Sequence, residues 1–358
     1  MRGTRLELRP GALAHNARRA RALAGGARVF AMVKANGYGH GLGLAARALA
    51  HQVDGLGVAL MEEAQALRHL GLAHPLLVAE GFFDADELAL AARLHAEVVV
   101  HSPWQVDLLV AQPRPVGVWL KVNTGMNRLG MAPDLARAQA ARLRGLKGVR
   151  LLGVMSHFAC ADAADDTRTA SQLALARALA TELRVPLSAA NSAALIRYPD
   201  ARADRVRPGI MLYGSSPFAW RAAADLDLRP TQRFSARLIA INPVQAGDSV
   251  GYGATWTADG PGRVGVVAVG YGDGYPRHAP NGTPVAVNGH RTRLAGRVSM
   301  DMLTVDLNGI DARVGDEVEL WGDVVSADEV AAACGTISYE LFCQITARPV
   351  RVINESTV

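Results

Sequence analysis

Lysine is nearly missing from this chain. Of its 38 lysines and arginines, only Lys34, Lys121 and Lys147 are lysines. Arginine serves almost any surface-charge role but cannot shed its proton to act as an amine nucleophile, so each lysine calls for a reason. Lys147, in RGLKGVR, reads as solvated charge, whereas Lys34 and Lys121 end apolar strand-like runs. Cysteine is also scarce: Cys160, Cys334 and Cys343 are odd in number and lack metal-ligand spacing. That argues against a disulfide framework or a metal site and for reduced thiols. Runs of about 18 apolar residues are absent, and MRGTRLELRPGALAHN lacks the apolar core of a signal peptide, so a cytoplasmic protein with no membrane partner is expected. The formal charge of +5 is modest and its arginines are dispersed, which speaks against nucleic-acid binding.

What is present is an alternation. Short apolar segments recur at 29–34, 55–60, 75–79, 96–100, 116–122, 151–157, 185–190 and 206–212. Between them lie Ala- and Leu-rich stretches with the i, i+3, i+4 apolar spacing of amphipathic helices. Buried strands alternating with helices imply a parallel sheet, and eight such strands within roughly 210 residues match a (β/α)8 barrel. A doubly wound open sheet is the rival, but no GxGxxG opens a helix. After about residue 220 the helical period gives way to strand-like runs with Gly, Asn and Pro turns. The expected organisation is therefore an α/β TIM-type barrel over 10–220 and a mostly β domain over 221–358, joined by the N-terminal strand within 1–9. Only SADEVAAAC, with Ser326 as N-cap, reads as helical there.

In a (β/α)8 barrel, chemistry gathers where strands end and loops begin. Lys34, Lys121, Asn123, Arg128, His157, Asn191, Ser192, Arg207 and Gly209 all fall at or near such positions. A lysine held against apolar surface has a lowered pKa and can form an imine with an aldehyde. Pyridoxal 5'-phosphate uses such a lysine and needs a phosphate cradle, for which the Ser192 hydroxyl and the Gly209 and Ile210 amides qualify. An aldolase-type Schiff base would use a similar lysine, so these residues alone leave both chemistries open.

The motifs AMVKANGYGHG, LKVNTGMNRLG, MSHFA, ANSAA, RPGIMLYG, GYGATW, GYGDGYPR, GRVSMDMLTVD and ISYELFCQI, in this order, resemble bacterial alanine racemase, a fold type III pyridoxal phosphate enzyme. The resemblance spans essentially the whole chain. It implies racemisation of L-alanine and D-alanine, supplying D-alanine for peptidoglycan, by a homodimer whose active sites are composite. Lys34 resembles the imine lysine and the base for the D-side proton. Tyr252 resembles the opposing base, donated by the partner subunit, and His157 the residue hydrogen-bonded near it. Arg207 resembles the group facing the pyridine nitrogen; being unable to accept a proton, it would leave the cofactor a restrained electron sink. The resemblance assigns the cofactor phosphate to Tyr38, Ser192, Gly209, Ile210 and Tyr339, with Asn191 beside them. It assigns the substrate carboxylate to Arg128 and the partner's Met300 amide, with Asp301 shaping the approach. Lys121 resembles a lysine that is often carbamylated, and no metal is implied. Ser299 and Ser188 depart from the Cys and His found at those places in some members, which affects tuning more than reaction class. A serine or broad-specificity racemase of the same fold is the alternative, and a non-catalytic pyridoxal phosphate-binding protein is a more distant one.

Overall fold

The computed structural model describes residues 3–355. Two compact units emerge: Leu13–Leu212 with Ser216–Leu228, and Met1–Ala12 with Tyr213–Ser215 and Arg229–Val358. The first strand is β1 (Arg5–Leu8), whose partners lie at 232–235 and 350–353, far along the sequence. Then follow β2 (Arg28–Met32), β3 (Gly55–Val58), β4 (Leu76–Val78), β5 (Ala96–Val100), β6 (Gly117–Lys121), β7 (Arg150–Met155), β8 (Leu187–Ser188) and β9 (Arg205–Val206). These eight are parallel and close on themselves, β2 pairing with both β3 and β9. The alternating strands and helices form a (β/α)8 barrel.

Large and small side chains share the barrel interior. Phe30, Leu77, Val99, Trp119 and Met155 pack as one buried cluster. A Cβ on Gly55 would lie 2.4 Å from the Phe30 ring and one on Gly153 2.4 Å from the Trp119 ring, so glycine on the neighbouring strand makes room for each aromatic. Arg205 lies 3.7 Å from the Phe30 ring centroid and 4.3 Å from that of Trp119, and it pairs with Glu97. Trp119 Nε1 also donates to Glu97, at 2.8 Å, so the buried charge is compensated.

The eighth expected strand is shorter than the run 206–212. The regular strand ends at Val206, although the Arg207 N–H still donates to the Ala190 carbonyl at 2.8 Å and the Met32 N–H to the Pro208 carbonyl at 3.0 Å, and Ile210–Tyr213 form a 3-10 turn. Arg207 and Gly209 therefore lie in the loop beyond β9 rather than in a strand.

The other unit is mostly β. Its main strands are β10 (Gln232–Val244), β11 (Ser249–Val250), β12 (Trp256–Thr257), β13 (Gly262–Val267), β14 (Pro284–Val287), β15 (His290–Arg293), β16 (Leu303–Asp306), β17 (Glu317–Trp321) and β18 (Val350–Ile353). They order as β15-β14-β17-β10-β1-β18, with β13 joining β10 to β16, while β11 and β12 form a separate pair. β1 runs antiparallel to β10 and parallel to β18. Ser326 caps the helix Ala327–Ala333, accepting from the Glu329 amide at 3.1 Å while Glu329 reaches back to the Ser326 amide. A second helix, Ser338–Gln344, corrects the expectation that only one helix occurs here; it buries Ser338, Leu341 and Phe342 along one face. Among the described residues, no helix is long and apolar enough to cross a membrane. Of the three cysteines, Cys334 is buried, Cys160 half-buried and Cys343 exposed.

Candidate active site

β2 ends at Met32, and Lys34 opens a turn rather than ending a strand. The next four residues wind left-handed, with φ of 53° at Ala35, 54° at Asn36, 62° at Gly37 and 49° at Tyr38. Left-handed winding costs an L-residue about 1–2 kcal/mol, less for asparagine and nothing comparable for glycine, so this turn must be held from outside. The Ala35 N–H donates to Glu63 Oε1 at 2.6 Å, and the Leu42 N–H donates to Asn36 Oδ1 at 2.8 Å. A Cβ on Gly37 would meet Ala45 Cβ at 2.7 Å, so glycine is needed for contact as well as conformation. The turn carries the chain from Lys34 to the buried Tyr38 side chain.

Tyr38 lies against the loop beyond β9. A Cβ on Gly209 would come within 2.3 Å of Tyr38 Oη, so only a glycine there lets the phenol settle. Ser192 Oγ accepts from the Gly209 N–H at 2.9 Å and from the Met211 N–H at 3.3 Å. Between those two, the Ile210 N–H finds no acceptor among the described residues. A phenol, a hydroxyl and an orphaned backbone N–H thus converge on one point, a cradle suited to phosphate. Asn191 does something more local: it caps the helix Ser192–Arg197, its Oδ1 accepting from the Ala194 N–H at 3.0 Å.

On the next part of the rim, the loop after β6 returns to its own strand. The Met131 N–H donates to the Lys121 carbonyl at 3.0 Å, and the Asn123 N–H to the Met131 carbonyl at 2.8 Å. Inside the loop, Asn123 Oδ1 accepts from Gly125 and Asn127 at 3.0 and 3.1 Å. As a result Lys121, Asn123, Arg128 and His157 line one cavity with Thr124 and Leu129. Arg207 lies buried below, donating to the Ser188 hydroxyl and, at 2.7 Å, to the Ser156 carbonyl. Ser188 thus holds the guanidinium in place and is itself fixed on the Arg205 carbonyl at 3.0 Å.

Electrostatically this rim is one-sided. Among the described residues, Lys34, Lys121, Arg128 and Arg207 form no salt bridge. Burial, with Arg207 and Arg128 alongside, pushes the Lys121 amine down to about 8. Burial and the facing Arg207, Arg128, Lys121 and Lys34 push His157 down to about 3, so it is a neutral imidazole at physiological pH. Burial and Arg205 bring Arg207 down to about 10, still protonated at neutral pH. Four cations without a carboxylate partner, Arg207 buried, Lys34 and Lys121 half-buried and Arg128 exposed, on the same barrel as an orphaned N–H cradle are suited to an anionic ligand with more than one acidic group.

The chain matches the family profile described as "Alanine racemase, N-terminal domain" over residues 8–217, and "Alanine racemase, C-terminal domain" over 231–353. It belongs to the alanine racemase family. The alanine racemase of Alcanivorax borkumensis is 68% identical over 353 residues, covering 99% of this chain and 100% of that one. The biosynthetic alanine racemase of Pseudomonas aeruginosa superposes with a TM-score of 0.96 at 48% identity, covering 99% of this chain and 100% of that one. The Acinetobacter baumannii alanine racemase gives 0.93 at 38% identity, again covering 99% and 100%.

Four residues expected in an alanine racemase site lie in the other unit. Tyr252 sits in a 3-10 turn between β11 and β12 and is 70% exposed. Met300 is 54% exposed in the turn before β16, and Tyr339 is half-buried on the helix Ser338–Gln344. Asp301 accepts from Arg348 Nη2 at 2.7 Å, and Arg348 also faces the buried Asp273 at 3.4 Å. The Gly272 N–H donates to the Met300 carbonyl at 2.9 Å, which ties GYGDGY to SMDM. Sequence reasoning overlooked Arg348, Glu63, Ser156 and Gln172. Gln172 accepts from the Ala159 N–H at 3.0 Å and so steadies the segment after His157. Ser156 stands inside MSHFA beside His157, whereas Arg348, Glu63 and Gln172 lie outside the motifs and only the fold gives them their contacts.

Proposed function

We propose that this chain is a pyridoxal phosphate-dependent amino-acid racemase that interconverts L-alanine and D-alanine, working in the cytoplasm to supply D-alanine for peptidoglycan. Membership of the alanine racemase family supports the reaction. The single structural observation that carries the cofactor reading is the cradle of Tyr38, Ser192 and the orphaned Ile210 N–H beside the unpaired Lys34. Bound there, pyridoxal phosphate supplies an electron sink that makes the substrate Cα–H acidic.

The residues divide the remaining work. Lys34 would hold the cofactor covalently and would handle a proton at Cα from one face. Tyr252 of a second copy handles it from the other, since inverting a centre by proton exchange needs acid–base groups on opposite faces. A phenol is a weak base at neutral pH, with a reference pKa of about 10, so His157, kept neutral, is assigned as its hydrogen-bond partner. Arg207 would meet the ring nitrogen as a donor that cannot take a proton from it. Arg128, with the Met300 amide of a second copy, holds the substrate carboxylate, Asp301 shapes its approach, and Tyr339 is assigned to the cofactor phosphate. Lys121, whose amine is partly neutral near pH 8, is poised to take up carbon dioxide as a carbamate, which would place an anion beside Arg128. The active unit is then a homodimer with two composite sites.

The test is turnover of L-alanine and of D-alanine by purified protein, followed by polarimetry or a coupled assay, with and without added pyridoxal phosphate. Cofactor-dependent racemisation in both directions is expected. A clear preference for serine or lysine would overturn the substrate, and bound cofactor without turnover would overturn the activity.

A further inference from the structure

We propose that Glu63 is a positioning residue for Lys34, a clasp that keeps the left-handed turn wound; the inference rests on the role given to Lys34 above. Glu63 stands on the first turn of the helix Met61–His69, on the loop leaving β3, and belongs to none of the motifs that mark the site. Its Oε1 accepts from the Ala35 N–H at 2.6 Å, and its Oε2 from the Ala59 and Leu60 N–H groups at 2.9 and 3.3 Å. One carboxylate therefore joins the exits of β2 and β3. The Ala35 N–H belongs to the peptide linking Lys34 to Ala35, so holding it fixes the plane from which the Lys34 side chain departs. Released from Glu63, Ala35 would have little reason to remain at a φ of 53°, because its alternatives are right-handed or extended. Lys34 would then swing, and Tyr38 would slip from its seat against Gly209.

The competing role is an ordinary helix cap, since Glu63 also completes the N-terminal hydrogen bonding of its own helix. Chemistry separates the two. Glu63→Asp keeps a carboxylate on the first turn of the helix but is one methylene too short to span to Ala35. Glu63→Gln keeps the length but turns an NH2 toward one set of N–H donors. Asp84→Ala removes a comparable cap elsewhere on the barrel, where Asp84 accepts from the Glu87 N–H at 2.8 Å.

The experiment uses the full chain, with and without pyridoxal phosphate, and reads amide hydrogen exchange over residues 35–39 together with the cofactor dissociation constant. Both Glu63 variants should exchange about tenfold faster across 35–39 and bind the cofactor about tenfold more weakly, while Asp84→Ala changes neither. If Glu63→Gln does not fold, Glu63→Asp decides. Wild-type exchange and affinity in Glu63→Asp would reduce Glu63 to a helix cap and overturn the proposal. A wild-type chain that binds no pyridoxal phosphate would instead overturn the function proposed above; exchange at 35–39, measured without cofactor, would still decide the role of Glu63.

Discussion

Lys34 is the residue on which the proposed chemistry turns. Lys34→Ala should abolish covalent attachment of the cofactor and lower racemisation by at least roughly 10²–10⁴-fold, the range typical of a lost acid–base group, and borohydride trapping with activity assay checks both. His157 offers a pH signature. It is pushed down to about 3 in the folded chain, by burial first and by the surrounding cations next. The unfolded chain takes up that proton near about 6.5. Its contribution to stability is therefore complete above about pH 6.5 and is lost as pH falls toward 3. The imidazole resonances of cofactor-free protein should stay flat between about pH 5 and 8, and a midpoint near 6.5 would contradict the reading. Lys121 has the same sign in a higher pH window. Held down to about 8, it favours the folded state increasingly as pH rises from there toward about 10.5, because the unfolded chain keeps its proton longer. Isotope-labelled bicarbonate should give a carbamate carbonyl signal that Lys121→Arg abolishes; the same signal in both would place the adduct elsewhere.

At the scale of elements, the site is a set of strand exits laced by loops. Gly209 illustrates the tolerance: an alanine there would put its Cβ 2.3 Å from Tyr38 Oη. Gly209→Ala should displace the phenol and weaken cofactor binding about tenfold or more with little loss of thermal stability, which equilibrium titration and calorimetry can separate. Much of this level was legible in the sequence. Seven of the eight barrel strands follow from apolar runs bounded by helical periodicity, and the residues at their exits from turn signals. The rest was not, for physical reasons. VRPGIML reads as a strand by composition, yet the regular strand ends at Val206 and Ile210 begins a 3-10 turn. ISYELFCQI is rich in strand-favouring residues, but burial of Ser338, Leu341 and Phe342 on one face makes it a helix. The left-handed turn was hidden most deeply. Only Gly37 hinted at it, while its fixing group lies 28 residues away at Glu63.

For the whole molecule, the distribution of the groups proposed for catalysis between two units is the central point. The barrel carries Lys34, Lys121, Arg128, His157 and Arg207, and the β-rich unit carries Tyr252, Met300 and Asp301. Tyr252 and Met300 present exposed apolar side chains, the kind of surface that a second copy covers. Within the β-rich unit, Arg348→Ala should free Asp301 and raise KM for alanine more than it lowers kcat, as steady-state kinetics in both directions would show.

The composite two-base site has one direct test. Lys34→Ala and Tyr252→Phe chains, each inactive alone, are mixed in equal amounts, dissociated and reassociated. In the mixed dimer one site carries both defects and the other carries neither, so racemisation should return to about a quarter of the wild-type level for random pairing. Mixtures that stay inactive while forming mixed dimers would contradict the account, because Lys34 and Tyr252 would then serve the same chain.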